Sequence, residues 1–563
     1  MTMRRNLGLA VLAGCGALGL AMPATGRQAG GDRSAAWYEI EAAAWHRVAT
    51  PSFEILGDTP ARTLRELAID LEALESLLAG LNPAETPPPL RAKVFVFSSE
   101  AAFSRHAPRS AGGAAAAVSG FFLSHPHGDF IAAAAASSRD ARRVLYHEVL
   151  HRFVRHHLPH APLWLNEGLA EFYSTLEVGR GEAWVGHPVA AHLARLRRER
   201  RRPFQELQAI DAASHVYGAG ERKPAFYAEA WAVVHYLLTG DGGRAAVARY
   251  AGLLRSGSDP IEAFADVFGD GAELDARVDA HLLLPSHDPL RVHLRRSPRE
   301  SDLATSTLDV ADIHHELGWL LAHHAPPDAA AARRHFEAAL RLDHDHASAL
   351  AGVGWLEELD GDDDGARGHY ERAVELGPRD PLHHFLEAQS LAKEAAALPA
   401  SERHTGAAQA LLERARDGYR RSLTLEPELA EARAGLGAAW IADRAPAGEG
   451  LEALREAFRR LPARDDVLYN LTLYEARLGS RQRAARLYAA LERRATPDRV
   501  ERAREALLRV ELTRAERLLY LGRTAEAVEI MSRVHVETRD GDLAAAVASR
   551  IEALERALAG GGG

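Results

Sequence analysis

Two rhythms of apolar residues divide the chain. Before residue 240 short β-type runs alternate with helical stretches, and beyond residue 305 only the helical period remains. Phe53-Glu54-Ile55-Leu56 and Lys93-Val94-Phe95-Val96-Phe97 have the composition of strands. Between them, residues 62–81 space apolar side chains three and four apart and stop near Asn82-Pro83, which predicts a helix. Strand, helix, strand is the opening of a small α/β subdomain. Residues 119–136 predict a hairpin, GFFLS and DFIAA joined by His125-Pro126-His127-Gly128, with Gly128 easing a turn expected to be solvated. His125 and His127 are also a candidate second metal site. A helix starts near Ser137 and Ser138, good N-caps, and ends before Pro159. His156, His157 and His160, at its exit, are expected to be exposed. Trp164–Tyr173 and residues 226–238 (FYAEAWAVVHYLL) predict further helices. The stretch 177–196 reads as a connector lining a cleft, and the basic run 197–202 as a solvated helix face or junction.

In the second half Ala339 and Leu342 recur as Ala373 and Leu376, and Phe336 is answered by Tyr370, all 34 residues on. That period, with small, aromatic and leucine positions in phase, is the tetratricopeptide signature. Further units are readable at 419–427, at 454–462, and from 478 and 521, and Ala392–Thr405 reads as an insertion. Such helix pairs cannot bury their apolar faces singly, so residues 305–560 predict an all-α solenoid, either a surface for a peptide or protein partner or a spacer. Asp360–Glu371 satisfies a calcium-loop expression, with Asp360, Asp362, Asp364 and Glu371 as ligands. Ala366, Tyr370 and Ala373 equally fit a repeat's second helix, which makes the acidic run an inter-helix turn.

With 563 residues there is room for three or four domains, and 47% hydrophobic and 26% charged residues are those of ordinary globular protein. The net charge of −10 comes with no basic stripe, which argues against nucleic acid. Cys15 is the one cysteine, which excludes disulfides and cysteine zinc ligands. Residues 1–26 carry Arg4 and Arg5, an apolar run Leu7–Leu20, then small residues, the layout of a secretory signal peptide. Leu12-Ala13-Gly14-Cys15 also resembles a lipobox, which would anchor the chain to a membrane at Cys15. Either way an exported protein is expected, periplasmic or extracellular.

The chemistry concentrates in residues 144–173. His147-Glu148-Val149-Leu150-His151 puts two imidazoles one helical turn apart on one face, where they can share a zinc ion. Glu148 lies about 100° further round the helix, able to reach a water beside the metal without ligating. Trp164-Leu165-Asn166-Glu167-Gly168 follows, and Glu167 supplies a third ligand, leaving the fourth position open for water. Glu171, one turn on, suits a carboxylate that orients a ligand histidine from behind.

At these two motifs the chain resembles the gluzincin zinc metallopeptidases, and most of all the bacterial peptidase-MA-like proteins that join such a domain to helical repeats. The resemblance spans residues 35–240, leaving 241–304 as a helical extension and linker. It implies an α+β metallopeptidase domain ahead of the repeats, one Zn2+ per chain and a peptide or protein substrate. The loop 152–166 is shorter than the family pattern, so counting alone favours Glu171 as ligand, whereas the W-L-N-E-G context favours Glu167. The resemblance also makes the hairpin a candidate edge strand for substrate pairing. It places Tyr227 where gluzincins carry an oxyanion tyrosine; the competing role is packing, and Tyr217 and Tyr173 are other possible donors. No amine-anchoring G-A-M-E-N-like stretch is present, which leans towards an endopeptidase. Two other functions fit the same residues: a repeat-scaffold binding protein with a non-catalytic metallopeptidase-like domain, and a hydrolase cutting cell-wall peptides. Every expected catalytic residue precedes the repeats, so a fragment ending near residue 300 is expected to keep the site.

Overall fold

The computed structural model describes residues 43–79, 91–108, 119–134, 139–158, 160–211, 214, 223–240, 243–294, 303–399, 401–402, 405–442 and 448–560. The expected signal peptide, the N-cap serines 137 and 138, and Tyr217 lie outside these residues. The chain forms two compact units, residues 1–391 with 421–431, and residues 392–420 with 432–563.

The first unit opens with strands β1 (His46–Ala49) and β2 (Phe53–Gly57), helix α1 (Ala61–Ala79), strand β3 (Ala92–Phe97) and helix α2 (Glu100–His106). The hairpin β4 (Gly120–His125) and β5 (Gly128–Ala134) follows, then helices α3 (Arg139–His157) and α4 (Leu163–Tyr173). Strands β6 (Glu177–Val178) and β7 (Glu182–Val185) lead to helices α5 (Ala190–Arg198), α6 (Phe204–Gln208) and α7 (Lys223–Thr239). Helices α8 (Gly243–Arg255), α9 (Pro260–Phe268) and α10 (Gly271–Leu282) precede strands β8 (Leu290–His293) and β9 (Ala304–Thr307). The first repeat helices are α11 (Val310–Ala322), α12 (Ala329–Leu342), α13 (Ala347–Asp360) and α14 (Asp363–Leu376).

Six strands form one mixed sheet in the order β4-β5-β3-β2-β1-β9. The parallel pairs β2–β3 and β3–β5 sit in the middle, and antiparallel pairs close both sides. The alternation of side chains sends Val48, Phe53, Ile55, Val94, Val96 and Ile131 to one face, where they share a core with α1, α3, α4 and α7. The other face carries Phe95, Phe97, Phe121 and Phe130, also buried. The first repeat lies against it. Phe97 stacks on His106, Phe130 stacks on His323, and Phe121 meets His324 edge-on. A charged row crosses the same face: Glu316 of α11 takes Lys93 at 2.6 Å and Arg47 at 3.4 Å, and Arg47 also pairs with Glu54 at 2.8 Å.

Two expectations change here. The stretch 241–304 is more than a linker, because β8 pairs with β7 and β9 pairs with β1. A fragment ending near residue 300 would leave β1 at the sheet edge without β9 and remove the repeat helices from the second face. The basic run is a junction: Arg201 bonds to Asp275, and Arg202 pairs with Glu229.

The helical repeats are present as expected. Phe336 of α12 fills the space that side chains on Gly318 and Gly352 would occupy, and Tyr370 of α14 lies against Gly354. Gly361, in the left-handed region at φ 85°, ends α13. Asp362 caps α14, while Asp360 and Asp364 pair with Arg333 and Arg367. The acidic run is thus an inter-helix turn, with its aspartates already committed. Leu342, one of the phased leucines, is exposed. Helix α15 (Pro381–Ala397) takes in the first part of the expected insertion, and α16 (Gly406–Leu425) follows. The second unit continues with α17 (Ala430–Ile441), α18 (Gly448–Arg460), α19 (Asp465–Arg477), α20 (Arg481–Arg494), α21 (Pro497–Tyr520), α22 (Thr524–Glu537) and α23 (Gly541–Gly560). Its Tyr419 lies over Gly435 as Phe336 lies over Gly352. Among the described residues no helix is long and apolar enough to cross a membrane.

His106, His314 and His335 meet between α2 and the first repeat, with His314 Nδ1 3.1 Å from His335 Nδ1. Burial pushes His106 and His314 down to about 4 and His335 well below its ordinary value. Above pH 6.5 these rings are neutral in both folded and unfolded chains. As pH falls from about 6.5 towards 4 the unfolded chain takes up protons that the folded chain refuses, so stability is lost. The urea midpoint, followed by tryptophan fluorescence, is expected to drop steadily from pH 7 to 4.5. The slope should flatten in His106→Gln; a wild-type midpoint independent of pH would contradict this account.

Candidate functional site

Helix α3 is fixed along one side and carries the H-E-x-x-H pentad on another. On the fixed side Arg142 bonds to Asp70 at 3.0 Å and Glu66 at 2.9 Å, and the Tyr146 hydroxyl donates to Asp70 at 2.6 Å. Further along, the buried Arg152 donates to Asp129 of β5 at 3.0 Å and to Glu75 of α1, and His156 meets Asp129 at 2.8 Å. His156 and His157 are therefore not exposed as expected; His157 is 8% accessible. His160 is exposed.

The pentad faces α4. His147 Nε2 lies 3.3 Å from Glu167 Oε2, and His151 Nε2 lies 3.6 Å from the same oxygen. These donors of His147, His151 and Glu167 gather within 4.8 Å of one another. Both imidazoles turn their other nitrogen outward to an acceptor. His151 Nδ1 is 3.0 Å from Asn166 Oδ1, and His147 Nδ1 is 3.5 Å from Glu171 Oε1. The Asn166 acceptor fixes the His151 tautomer that leaves Nε2 to ligate, and Glu171 faces His147 Nδ1 at ion-pair distance. Glu171 is held in turn by His192 at 2.9 Å and Arg143 at 3.6 Å. It thus sits behind His147, and Glu167 sits in front.

All of these groups are buried: His147, Glu148 and Glu167 are 0% accessible. Among the described residues, His147 Nδ1 and Nε2, His151 Nε2 and both oxygens of Glu148 have no partner at hydrogen-bond geometry. Buried polar atoms converging without such bonds are costly unless a further group satisfies them. Two imidazoles and a carboxylate are the donor set that suits a zinc ion. Electrostatics divides the carboxylates. Burial raises Glu148 to about 8, with Glu167 adding to the rise and His147 opposing it. Burial acts on Glu171 in the same sense, yet His192, His147 and Arg143 outweigh it and hold that group at about 2. Burial alone would lower His147, but Glu167 and Glu171 hold it up at about 8, while burial pushes His151 down to about 4.

Helix α7 closes the arrangement. The Tyr227 ring stands 6.1 Å from that of His147, and Lys223 lies 5.6 Å over the Tyr227 ring. Burial lowers the Lys223 pKa against the pull of Glu167 and Glu148. Lys223, Asn166, His192 and Arg143 were not singled out from sequence. Asn166 had a signal in its place beside Glu167; the other three are brought in by folding. Tyr173 is buried beside Phe172. The connector 177–196 does line a cavity of about 590 Å³, together with Asp70, Arg142 and Arg143. The hairpin turn is not solvated: His127 is 7% accessible and packs against His323, Trp319 and Trp355.

Residues 145–258 match the family described as Protein of unknown function (DUF1570), a span that contains every residue of this site except Arg143. No curated protein matches. Solved structures similar to the chain include YrrB, "a TPR protein with an unusual peptide-binding site", at 19% identity, over 34% of this chain and 91% of that one, with a TM-score of 0.26. TTC0263, a TPR protein of Thermus thermophilus, matches at 20% identity over 35% of this chain and 99% of its own, TM-score 0.27. MamA from Desulfovibrio magneticus matches at 16% identity over 34% and 96%, TM-score 0.26. TM-scores this low carry no argument about this chain, and the repeat fold described above stands on its own helix pairs.

Gly168 sets the approach of α4 to α7. A Cβ there would come within 2.5 Å of the Ala230 carbonyl oxygen and of Val234 Cγ2. The obstruction includes backbone, which cannot swing aside. Gly168→Ala is expected to cost about 1–3 kcal/mol, as overpacking does, read as a lower urea midpoint; an unchanged midpoint would show that the helices part freely.

Proposed function

We propose that the chain is an exported zinc-dependent metallopeptidase, with a repeat array that recruits its substrate or a partner. The observation that carries this reading is the convergence of His147, His151 and Glu167 on one point, with the buried Glu148 beside them. A zinc ion held there would supply a Lewis acid for the scissile carbonyl and would lower the pKa of water. Glu148 takes the proton of the attacking water and passes it to the leaving amine. Its ordinary form is ionised, and a nearby cation offsets the burial that otherwise raises it. Tyr227 donates a hydrogen bond to the oxyanion, a contact that matters more in the transition state than in the substrate. Glu171 positions His147, and Asn166 positions His151. The W-L-N-E-G motif and the leader-like residues 1–26 support the same reading from sequence.

One observation favours the alternative, a repeat-scaffold binding protein with a non-catalytic metallopeptidase-like domain. His147, Glu148 and Glu167 are closed off from solvent, so a peptide reaches them only if the surrounding elements open. Digestion of a mixed peptide library by the purified protein, with and without chelator, separates the two. Zinc-dependent cleavage supports the enzyme; bound zinc without cleavage supports the scaffold.

Three substitutions test the roles. Glu148→Gln is expected to keep zinc and lose nearly all hydrolysis. Glu167→Ala should lose zinc to a competing chelator far more readily than Glu171→Ala, for which a loss of about 10–100-fold is expected; the reverse order would make Glu171 the ligand. Tyr227→Phe should fold and bind zinc normally but lower kcat by about 10²–10³-fold with little change in KM. Wild-type turnover in that variant would leave Tyr227 as packing.

A further inference from the structure

The β4–β5 turn carries a second group of converging ring nitrogens. His125 ends β4, His127 stands in the turn, and His323 caps the end of α11. One nitrogen from each lies within 4.8 Å of the other two. We propose that His125, His127 and His323 bind one divalent d-block cation, zinc in the first instance, which ties the sheet hairpin to the first repeat helix. This inference does not rest on the reading of His147, His151 and Glu167.

The hydrogen bonds around the cluster argue for it. His323 Nδ1 donates to the Trp319 carbonyl at 2.7 Å, so its Nε2 carries a lone pair and points into the cluster. His127 Nε2 faces Gln389 Oε1 at 3.3 Å, and a bond donated there would leave His127 Nδ1 as a lone pair too. Those two inward nitrogens stand 3.0 Å apart. At that distance the two nitrogens share one proton in a hydrogen bond, and a cation bound between them would take that proton's place. Ligand nitrogens about 2.0–2.1 Å from a tetrahedral zinc are roughly 3.3 Å from each other, close to what is seen. Outward bonds from ligand rings to a carbonyl and an amide oxygen are the usual partners of metal-binding histidines. The third ring, His125, accepts the His127 amide at Nδ1 over 3.3 Å, a bond it would exchange for the ion if that nitrogen ligates.

The surroundings select the metal. Trp355 stands 4.5 Å from the His127 ring and 5.3 Å from that of His125, and Phe130 stacks on His323 at 4.8 Å. This aromatic wall holds the rings in place and keeps bulk water from them. Three neutral imidazoles with no carboxylate oxygen suit zinc, copper or nickel and not calcium or magnesium. The hairpin comes from the sheet and His323 from the repeats, so the ion would join two parts of the first unit that are 196 residues apart in sequence.

Metal analysis of the full-length protein tests the inference, using a variant that lacks the other centre. His147→Ala/His151→Ala is expected to retain about one zinc per chain and to unfold at a higher temperature with zinc than without it. Adding His323→Gln should abolish both effects. Because His323 is packed, His125→Ala at the half-buried turn is the second probe, expected to weaken zinc by more than the ~100-fold upper end for an outer-sphere partner. The inference is overturned if the His147→Ala/His151→Ala protein binds no zinc, or if its zinc survives both further substitutions. If wild type holds one zinc that His125→Ala releases and His147→Ala/His151→Ala does not, this site stands and the Glu167 centre fails.

Discussion

A sheet whose two faces are both apolar has to be covered twice, and the rest of the first unit follows from that requirement. One face lies under α1 and α3, the other under α2 and the first repeat helices. Central parallel strands buried on both sides are the ordinary condition of such sheets. Here that second cover is shared between helix α2, through Phe103 and His106, and the first helical repeat. The Glu316 carboxylate then meets Lys93 and Arg47 where the sheet face is charged, so an ion-pair cluster has its members on three elements. Glu316 is the buried member, while Lys93 and Arg47 stay partly exposed and also face Glu54.

The same requirement positions the chemistry. Helix α3 is locked onto α1 and β5 through Arg142, Tyr146 and Arg152, and this decides which way His147 and His151 point. Helix α4 brings Glu167 to them, and α7 brings Tyr227 and Lys223. Gly168 allows that second approach, so the glycine of W-L-N-E-G is explained by backbone proximity and not by a turn.

Much of this was legible in sequence because it is local. The pentad fixes two imidazoles by helical periodicity alone, and the 34-residue period with Phe336 and Tyr370 in phase fixes the repeats. The strands and α1 were readable for the same reason. What escaped was non-local. Nothing in His125-Pro126-His127-Gly128 says that His323 and Trp355 will cover the turn, so local rules expected a solvated hairpin. The exposed reading of His156 failed likewise, since Asp129 of β5 receives it only after folding. Strand β9 is a polar tetrapeptide, Ala304–Thr307, with no strand signal apart from its pairing with β1.

That last strand has a consequence for modularity. The chain leaves the sheet after β5, builds the helical half of the site, and returns to the sheet through β9 before the first repeat begins. The opening repeats therefore share one compact unit with the catalytic-type residues, and the second unit starts only at residue 392. Exchange of repeats among related chains would have to respect that division. The repeat helices α11 to α14 are inherited with the sheet, together with residues 421–431 from further along the chain.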